Sequence, residues 1–78
     1  MIDFHEVMQR VKKILFLQAR KKKILDKDIA SALQLDPQYY AVIKKRQKIP
    51  FESIAYFSKS RKINMNWILL GQKPQYLI

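Results

Sequence analysis

The segment from Asp26 to Pro50 organises the chain and reads DKDIASALQLDPQYYAVIKKRQKIP. Near its start, Ile29 and Leu33 stand one helical turn apart, and Ala30 lies beside Ile29. Since residues three and four apart share one side of a helix, this spacing predicts a short helix with an apolar inner face. Asp26 is the candidate N-cap of that helix, because a carboxylate there accepts hydrogen bonds from unpaired N–H groups.

A turn over residues 33–36 is expected to lead into a second short helix. Asp36 followed by Pro37 is a strong helix-start signal, since the carboxylate caps free N–H groups and proline needs no partner in the first turn. Within this helix, Tyr40 and Ile43 are spaced to face inward. The outward stripe then consists of Gln38, Tyr39, Val42 and Lys45.

Positive charge gathers where the second helix is expected to end. Four cations fall within five residues, at Lys44, Lys45, Arg46 and Lys48. Two short helices joined by a tight turn, with the second exposed and followed by cations, form the helix-turn-helix pattern of DNA-reading proteins. The same cations have a simpler explanation, which is a solvated helix end whose charge keeps the domain soluble.

Further helix signals flank this central pair. An amphipathic helix is predicted over 3–19, because apolar residues recur there at helical spacing. A fourth helix is expected to open at Pro50, and a fifth over 65–70, capped by Asn64 and stopped by Gly71. The sequence therefore predicts an all-α, compact domain of five short helices.

Length and charge restrict the class of protein. Seventy-eight residues suffice for a single domain over 1–78, with 73–78 as a short tail. The net charge is +10, from sixteen cations against six acids, and no acid follows Glu52. An imbalance of this size invites a polyanionic partner. Nucleic acid is the first candidate, ahead of an anionic membrane surface or an acidic protein.

Several functional classes find no support in the sequence. The absence of cysteine excludes disulfides and thiolate metal sites. His5 is the only histidine, and no nucleophile–base pair or glycine-rich phosphate loop occurs, so we predict neither an enzyme nor a metal or cofactor site. There is no signal peptide and no apolar run of ~20 residues, which predicts a soluble cytoplasmic protein without membrane contact.

Over residues 28–74 the chain resembles the small helix-turn-helix domain of the CI-type phage repressor family. The resemblance is carried by DIASALQLDPQYY, KKRQKIP and INMNWILLGQKP in that order, and the upstream FHEVMQRVKKIL resembles the family's first helix. It implies a phage-repressor-like DNA-binding fold, with the third helix, about 37–46, in the major groove of double-stranded DNA. It also implies a sequence-specific transcriptional regulator of the repressor kind that acts as a homodimer.

The outward stripe and the nearby cations supply the candidate site residues. Base contacts are predicted for Gln38, Tyr39 and Val42, because glutamine can bond an adenine edge twice and an apolar group can meet the thymine methyl. Phosphate contacts, which position the helix without reading sequence, are predicted for Lys22, Lys23, Lys27, Lys44, Lys45, Arg46 and Lys48. Val42 stands where the family usually has a polar residue. The alternative is therefore a protein-interaction or accessory module that kept the fold without operator reading.

Three turn positions depart from the family pattern. Gln34, Gln47 and Lys62 stand where the family often has glycine. If these backbones are left-handed, each costs ~1 kcal/mol, because a Cβ crowds the following carbonyl in that conformation. The other possibility is that the turns differ in shape.

The fifth helix and the tail are unusually apolar. Trp67 and Leu70 are predicted to face the core, which would leave Ile68 and Leu69 exposed. The predicted homodimer interface therefore comprises Ile68, Leu69, Tyr76, Leu77 and Ile78. Alternatively, the tail folds back and covers this patch within one chain.

Overall fold

Five α-helices account for the regular structure of the chain in a computed structural model, which describes residues 1–20 and 22–77. In chain order they are α1 (Phe4–Ala19), α2 (Asp26–Ala32), α3 (Pro37–Arg46), α4 (Phe51–Arg61) and α5 (Met65–Leu70). Within the described residues the only β pairing is one isolated bridge, between Ile63 and Tyr76. The predicted all-α architecture of five short helices is confirmed.

Short polar side chains set the starts of α1, α3 and α5. Side-chain oxygens of Asp3, Asp36 and Asn64 accept hydrogen bonds from first-turn N–H groups at 3.0, 2.7 and 3.0 Å. Each satisfies a donor that has no partner within its helix. The predicted starts of these three helices are confirmed. They could be predicted because each depends on an interaction between residues only two or three apart.

The start of α2 differs from the prediction. Asp26 is the first residue inside the helix, and Leu25 occupies the N-cap position. Asp28 Oδ2 accepts a hydrogen bond from the backbone N–H of Leu25 at 2.8 Å. The acid that secures this end is therefore Asp28 reaching back, and the expectation that Asp26 caps α2 was wrong.

Of the two turn conformations that the sequence left open, the structure has the left-handed one. Gln34, Gln47 and Lys62 have φ values of 57°, 57° and 58°, and Arg20 at the end of α1 has 54°. A left-handed residue allows the chain to turn back and bond the last carbonyls of a helix. At Gln47 and Lys62 the backbone N–H groups donate in this way to carbonyls of the preceding turn.

The core lies along the apolar side of α1. That helix packs against α2 and α5, while α3 packs on α2 and α4 on α5. The radius of gyration of 11.6 Å equals the roughly 11.5 Å expected for a compact domain of this length. The buried α1 residues are Phe4, Val7, Met8, Val11, Ile14 and Leu15. The other buried apolar residues are Ile24, Ile29, Ala30, Leu33, Tyr40, Ile43, Ile54, Phe57, Ile63, Trp67 and Ile68.

The orientation of α5 corrects the prediction for that helix. Ile68 is fully buried and Leu70 is 51% exposed, the reverse of the expected arrangement, whereas Trp67 is buried as predicted. The reason is tertiary, because α5 lies between α1 and α4 and is tied to α1. Arg10 Nη1 donates to the carbonyl oxygen of Ile68 at 3.0 Å. Ile68 therefore cannot form part of an interface between copies.

The tail folds back onto its own chain. The N–H of Asn64 donates to the carbonyl of Gln75 at 2.9 Å, and the N–H of Leu77 donates to the carbonyl of Lys62 at 3.0 Å. Asn64 Nδ2 adds a bond to the carbonyl of Pro74 at 2.8 Å. Tyr76 and Leu77 stay exposed on the outside of this turn. Ile78, also predicted at the interface, lies outside the described residues.

Candidate nucleic-acid interface

The outward side of α3 is the first part of the candidate site. Tyr40 and Ile43, one helical turn apart, are both buried and mark the inner side of α3. Side chains on the opposite side of the helix therefore point away from the core. Gln38 is exposed, and Tyr39 and Val42 are 48% and 47% exposed. The predicted inner and outer sides of α3 are thereby confirmed, and the three candidate base-contacting side chains share one accessible stripe.

The inner side of α3 is anchored by Tyr40. Its ring lies 6.3 Å from the ring of Phe4 on α1, measured between centroids. Burial, and secondly the negative charge of Asp26, raise the pKa of Tyr40 to about 12. The phenol therefore stays neutral at physiological pH, and α3 rests on an uncharged aromatic contact.

The last turn of α3 and the residue after Gln47 carry the cluster of cations that we call the basic exit: Lys44, Lys45, Arg46 and Lys48. All four are exposed, as predicted. Cations are favoured here because the carbonyl ends of a helix carry partial negative charge. The fold therefore stabilises a positive cluster directly beside the exposed stripe.

One member of the basic exit has a partner that the sequence did not reveal. Lys44 Nζ lies 2.5 Å from Asp26 Oδ2, at the start of α2. Among the described residues, no comparable ion pair involves Lys45, Arg46 or Lys48. Three uncompensated cations thus remain beside the stripe, while the charge of Lys44 is offset.

The other predicted phosphate ligands divide into two groups. Lys27 lies beside Lys44 and Lys45, since all three line a cleft between the starts of α1 and α2 and the outer flank of α3. His5 lines the same cleft. Lys22 and Lys23 are exposed in the segment before α2 and do not line it. The structure therefore brings Lys27 to the basic exit and leaves Lys22 and Lys23 apart from this cleft.

A second feature adjoins the stripe and was not recognised from the sequence. An open groove of about 1000 Å³ lies between the α2–α3 turn and α4, with buried Leu33 and Phe57 in its lining. Three aromatic side chains in its lining are about half exposed or more: Tyr39, Phe51 and Tyr56. We call it the aromatic groove. Tyr56 is an exposed residue of α4, and only the packing of α4 against the turn shows what it adjoins.

Residues 1–20 and 22–77 show neither a metal-binding cluster nor a membrane-spanning helix. This part of the chain contains no cluster of three or more acidic or histidine side chains able to hold a metal ion. None of its helices combines the length and the apolar character needed to cross a bilayer.

The chain was also compared with known proteins. It matches no protein-family model, no curated protein and no solved structure.

Proposed function

We propose that this protein binds double-stranded DNA as a helix-turn-helix regulator, with α3 in the major groove. The observation that supports it most is the combination found on α3. One side is held by Tyr40 and Ile43, the other is exposed, and the helix ends in a cluster of cations. A single short helix of this kind, supported by its predecessor, is what a major groove about 12 Å wide admits.

Sequence reading is assigned to the exposed stripe. Gln38 can donate and accept at once along an adenine edge. Val42 offers a methyl surface to thymine, and Tyr39 forms the edge of the stripe that adjoins the aromatic groove. Gln38 stands next to the start of α3, where a recognition helix usually meets base edges.

Phosphate contact is assigned to the uncompensated part of the basic exit. Lys45, Arg46 and Lys48 would hold α3 in place by bonding the strands on either side of the groove. Lys44 is assigned a smaller share, because contact with phosphate requires it to leave Asp26. Each phosphate neutralised makes the logarithm of affinity fall about 0.9 further per unit logarithm of salt concentration.

Repression by occupying an operator is the role that we assign. Two copies related by a twofold axis would place their α3 helices ~34 Å apart, one turn of DNA. Exposed Leu70, Tyr76 and Leu77, with half-buried Leu69, supply the apolar surface for contact between copies. Leu70 takes the place that the sequence assigned to Ile68.

Selection of binding sites from random duplexes at near-physiological salt tests the proposal. The expected result is one enriched palindromic site with its half-sites one helical turn apart. Salt-sensitive binding without any enriched sequence would contradict operator recognition. Failure to bind DNA, together with a stable complex with another protein, would favour the alternative of a protein-interaction module. That alternative draws on the two apolar side chains, Tyr39 and Val42, in the exposed stripe.

A matched pair of variants tests the placement of the phosphates. Replacing Lys45 and Arg46 by alanine should weaken duplex binding for all sequences alike and reduce the salt slope by roughly 2. The control, Lys62→Asn with Lys73→Ala, removes the same charge at the far end of α4 and in the tail, and asparagine tolerates the left-handed backbone at 62. Equal losses in the two variants would show that net charge alone drives binding and would refute the placement.

A further inference from the structure

We propose that the aromatic groove binds the unpaired bases of a single nucleic-acid strand. Its lining comes from two separate parts of the chain. One part is the end of α2, the turn that follows it and Tyr39 of α3, and the other is the loop before α4 with most of that helix. Because the strand would reach the groove along the basic exit, this second site rests on the proposed nucleic-acid function. It extends that function from paired to unpaired nucleotides.

Exposure of aromatic surface is the first observation. Tyr39, Phe51 and Tyr56 are 48%, 50% and 64% exposed, and all three line the groove. Aromatic rings bind bases by stacking on their faces, which every base possesses. Three stacking surfaces around one opening match a short run of consecutive nucleotides.

Charge is the second observation. Lys48 and Lys59 line the groove, against a single carboxylate, Glu52. Lys48 also belongs to the basic exit, and Tyr39 also belongs to the exposed stripe of α3. The groove therefore continues the positive surface proposed for duplex DNA, and a strand leaving that surface would enter it without crossing an acidic region of the groove.

The chemistry of the lining favours bases over a peptide. The large apolar side chains exposed in the groove are all aromatic, whereas its larger aliphatic members, Leu33, Leu35 and Ile49, are buried or half buried. An amphipathic helix also docks in a hydrophobic groove, and a proline-rich peptide docks in an aromatic-lined one, but neither carries phosphates for Lys48 and Lys59 to meet. Stacking instead requires flat rings at the rim, with cations near enough to meet phosphates.

The experiment measures binding of the whole chain to three probes by fluorescence anisotropy. The probes are a twelve-nucleotide thymidine strand, an abasic strand of the same length and charge, and a duplex of the same length. Wild-type protein should bind the thymidine strand more tightly than the abasic strand. Phe51→Ala with Tyr56→Ala should weaken thymidine-strand binding on the order of 10-fold per ring lost, while duplex affinity stays unchanged.

Matched controls separate stacking from folding and from charge. Phe16→Ala with Leu17→Ala removes two side chains of similar exposure from α1, outside the groove, and should leave thymidine-strand binding unchanged. Phe51→Trp, with Tyr56 unchanged, should keep or improve thymidine-strand binding, since the new ring is larger than the one it replaces. Tight abasic binding equal to that of the thymidine strand would overturn the proposal. So would displacement of the bound thymidine strand, in the same assay, by an added acidic, phenylalanine-containing peptide whose binding also depends on Phe51 and Tyr56.

The two proposals fail in different ways. If the thymidine strand binds and responds to Phe51 and Tyr56 while no duplex binds, the groove stands and the operator-binding proposal fails. If the duplex binds and responds to Lys45 and Arg46 while the thymidine strand does not bind, the groove proposal alone is overturned.

Discussion

The third and fifth helices use their apolar residues in opposite ways. Of the ten residues of α3, only Tyr40 and Ile43 are buried, so the helix is held along one narrow side. Of the six residues of α5, Trp67 and Ile68 are buried and two more are half buried. The difference separates a helix available to a partner from one that closes the core. The exposed positions of α3 should therefore contribute little to stability, whereas the buried positions of α5 should contribute much.

The largest expected effect comes from shortening one aliphatic side chain in each helix. Ile68→Ala should lower the free energy of unfolding by about 2–5 kcal/mol, because it leaves a cavity among fully buried side chains. Val42→Ala, on the exposed stripe, should change it by no more than about 0.5 kcal/mol. Urea unfolding followed by circular dichroism measures both. Similar losses of unfolding free energy in the two variants would contradict the difference between the buried side of α5 and the exposed side of α3.

A second test probes the buried side of α3 through pH. The pKa of Tyr40 is raised to about 12, above its ordinary 10.0, by burial and by Asp26. Folded and unfolded chains therefore bind the same proton below pH 10, and the unfolded chain releases it first as pH rises. Relative to Tyr40→Phe, the wild type should lose on the order of 1–3 kcal/mol between pH 10 and 12.

The comparison of unfolding free energies between wild type and Tyr40→Phe across that range isolates this one phenol, since the lysines titrate in both proteins. At pH 7 ionisation contributes nothing to the difference. Parallel curves from pH 7 to 12 would mean that Tyr40 is not buried beside Asp26, and that the anchoring of α3 is wrong.

A third test concerns how the helices end. Gln47 after α3 and Lys62 after α4 hold left-handed backbones, whereas α5 ends at Gly71 with φ of 76°. Gln47→Gly and Lys62→Gly should each stabilise the fold by about 0.5–1 kcal/mol, because glycine has no Cβ to crowd the carbonyl.

Gly71→Ala is the reverse variant and should destabilise by at least as much. Its added Cβ would lie 3.0 Å from Arg10 Nη2 in addition to the backbone strain. Thermal unfolding of the three variants gives the signs directly. Destabilisation by Gln47→Gly would show that its side chain, and not its backbone, matters at the end of α3.

The smallest expected effect concerns the ion pair at the flank of α3. Lys44 and Asp26 are both about half exposed, so Lys44→Ala should cost at most about 1 kcal/mol of stability. Its effect on duplex affinity should also be smaller than that of Lys45→Ala, since part of the charge of Lys44 is already neutralised. A larger affinity loss at Lys44 would mean that the pair opens fully on DNA.

Local chemistry determined most of the helix boundaries. Asp3, Asp36 and Asn64 act on N–H groups two or three residues away, and Gly71 acts on the turn it terminates. Such interactions join residues that are close in sequence, so they can be predicted without the tertiary structure. The inner side of α3 could also be predicted, because Tyr40 and Ile43 stand three residues apart, the spacing of one helix face.

Only the tertiary structure decided the rotation of α5, the partner of Lys44 and the aromatic groove. The run Trp67-Ile68-Leu69-Leu70 is apolar on every side, so periodicity offers no contrast, and the bond from Arg10 to Ile68 joins residues 58 positions apart. The Lys44–Asp26 contact spans 18 positions, and the groove gathers Tyr39, Phe51 and Tyr56 from different elements. Local sequence therefore specified where most of the helices begin and end, while long-range packing specified which surfaces they leave for a partner.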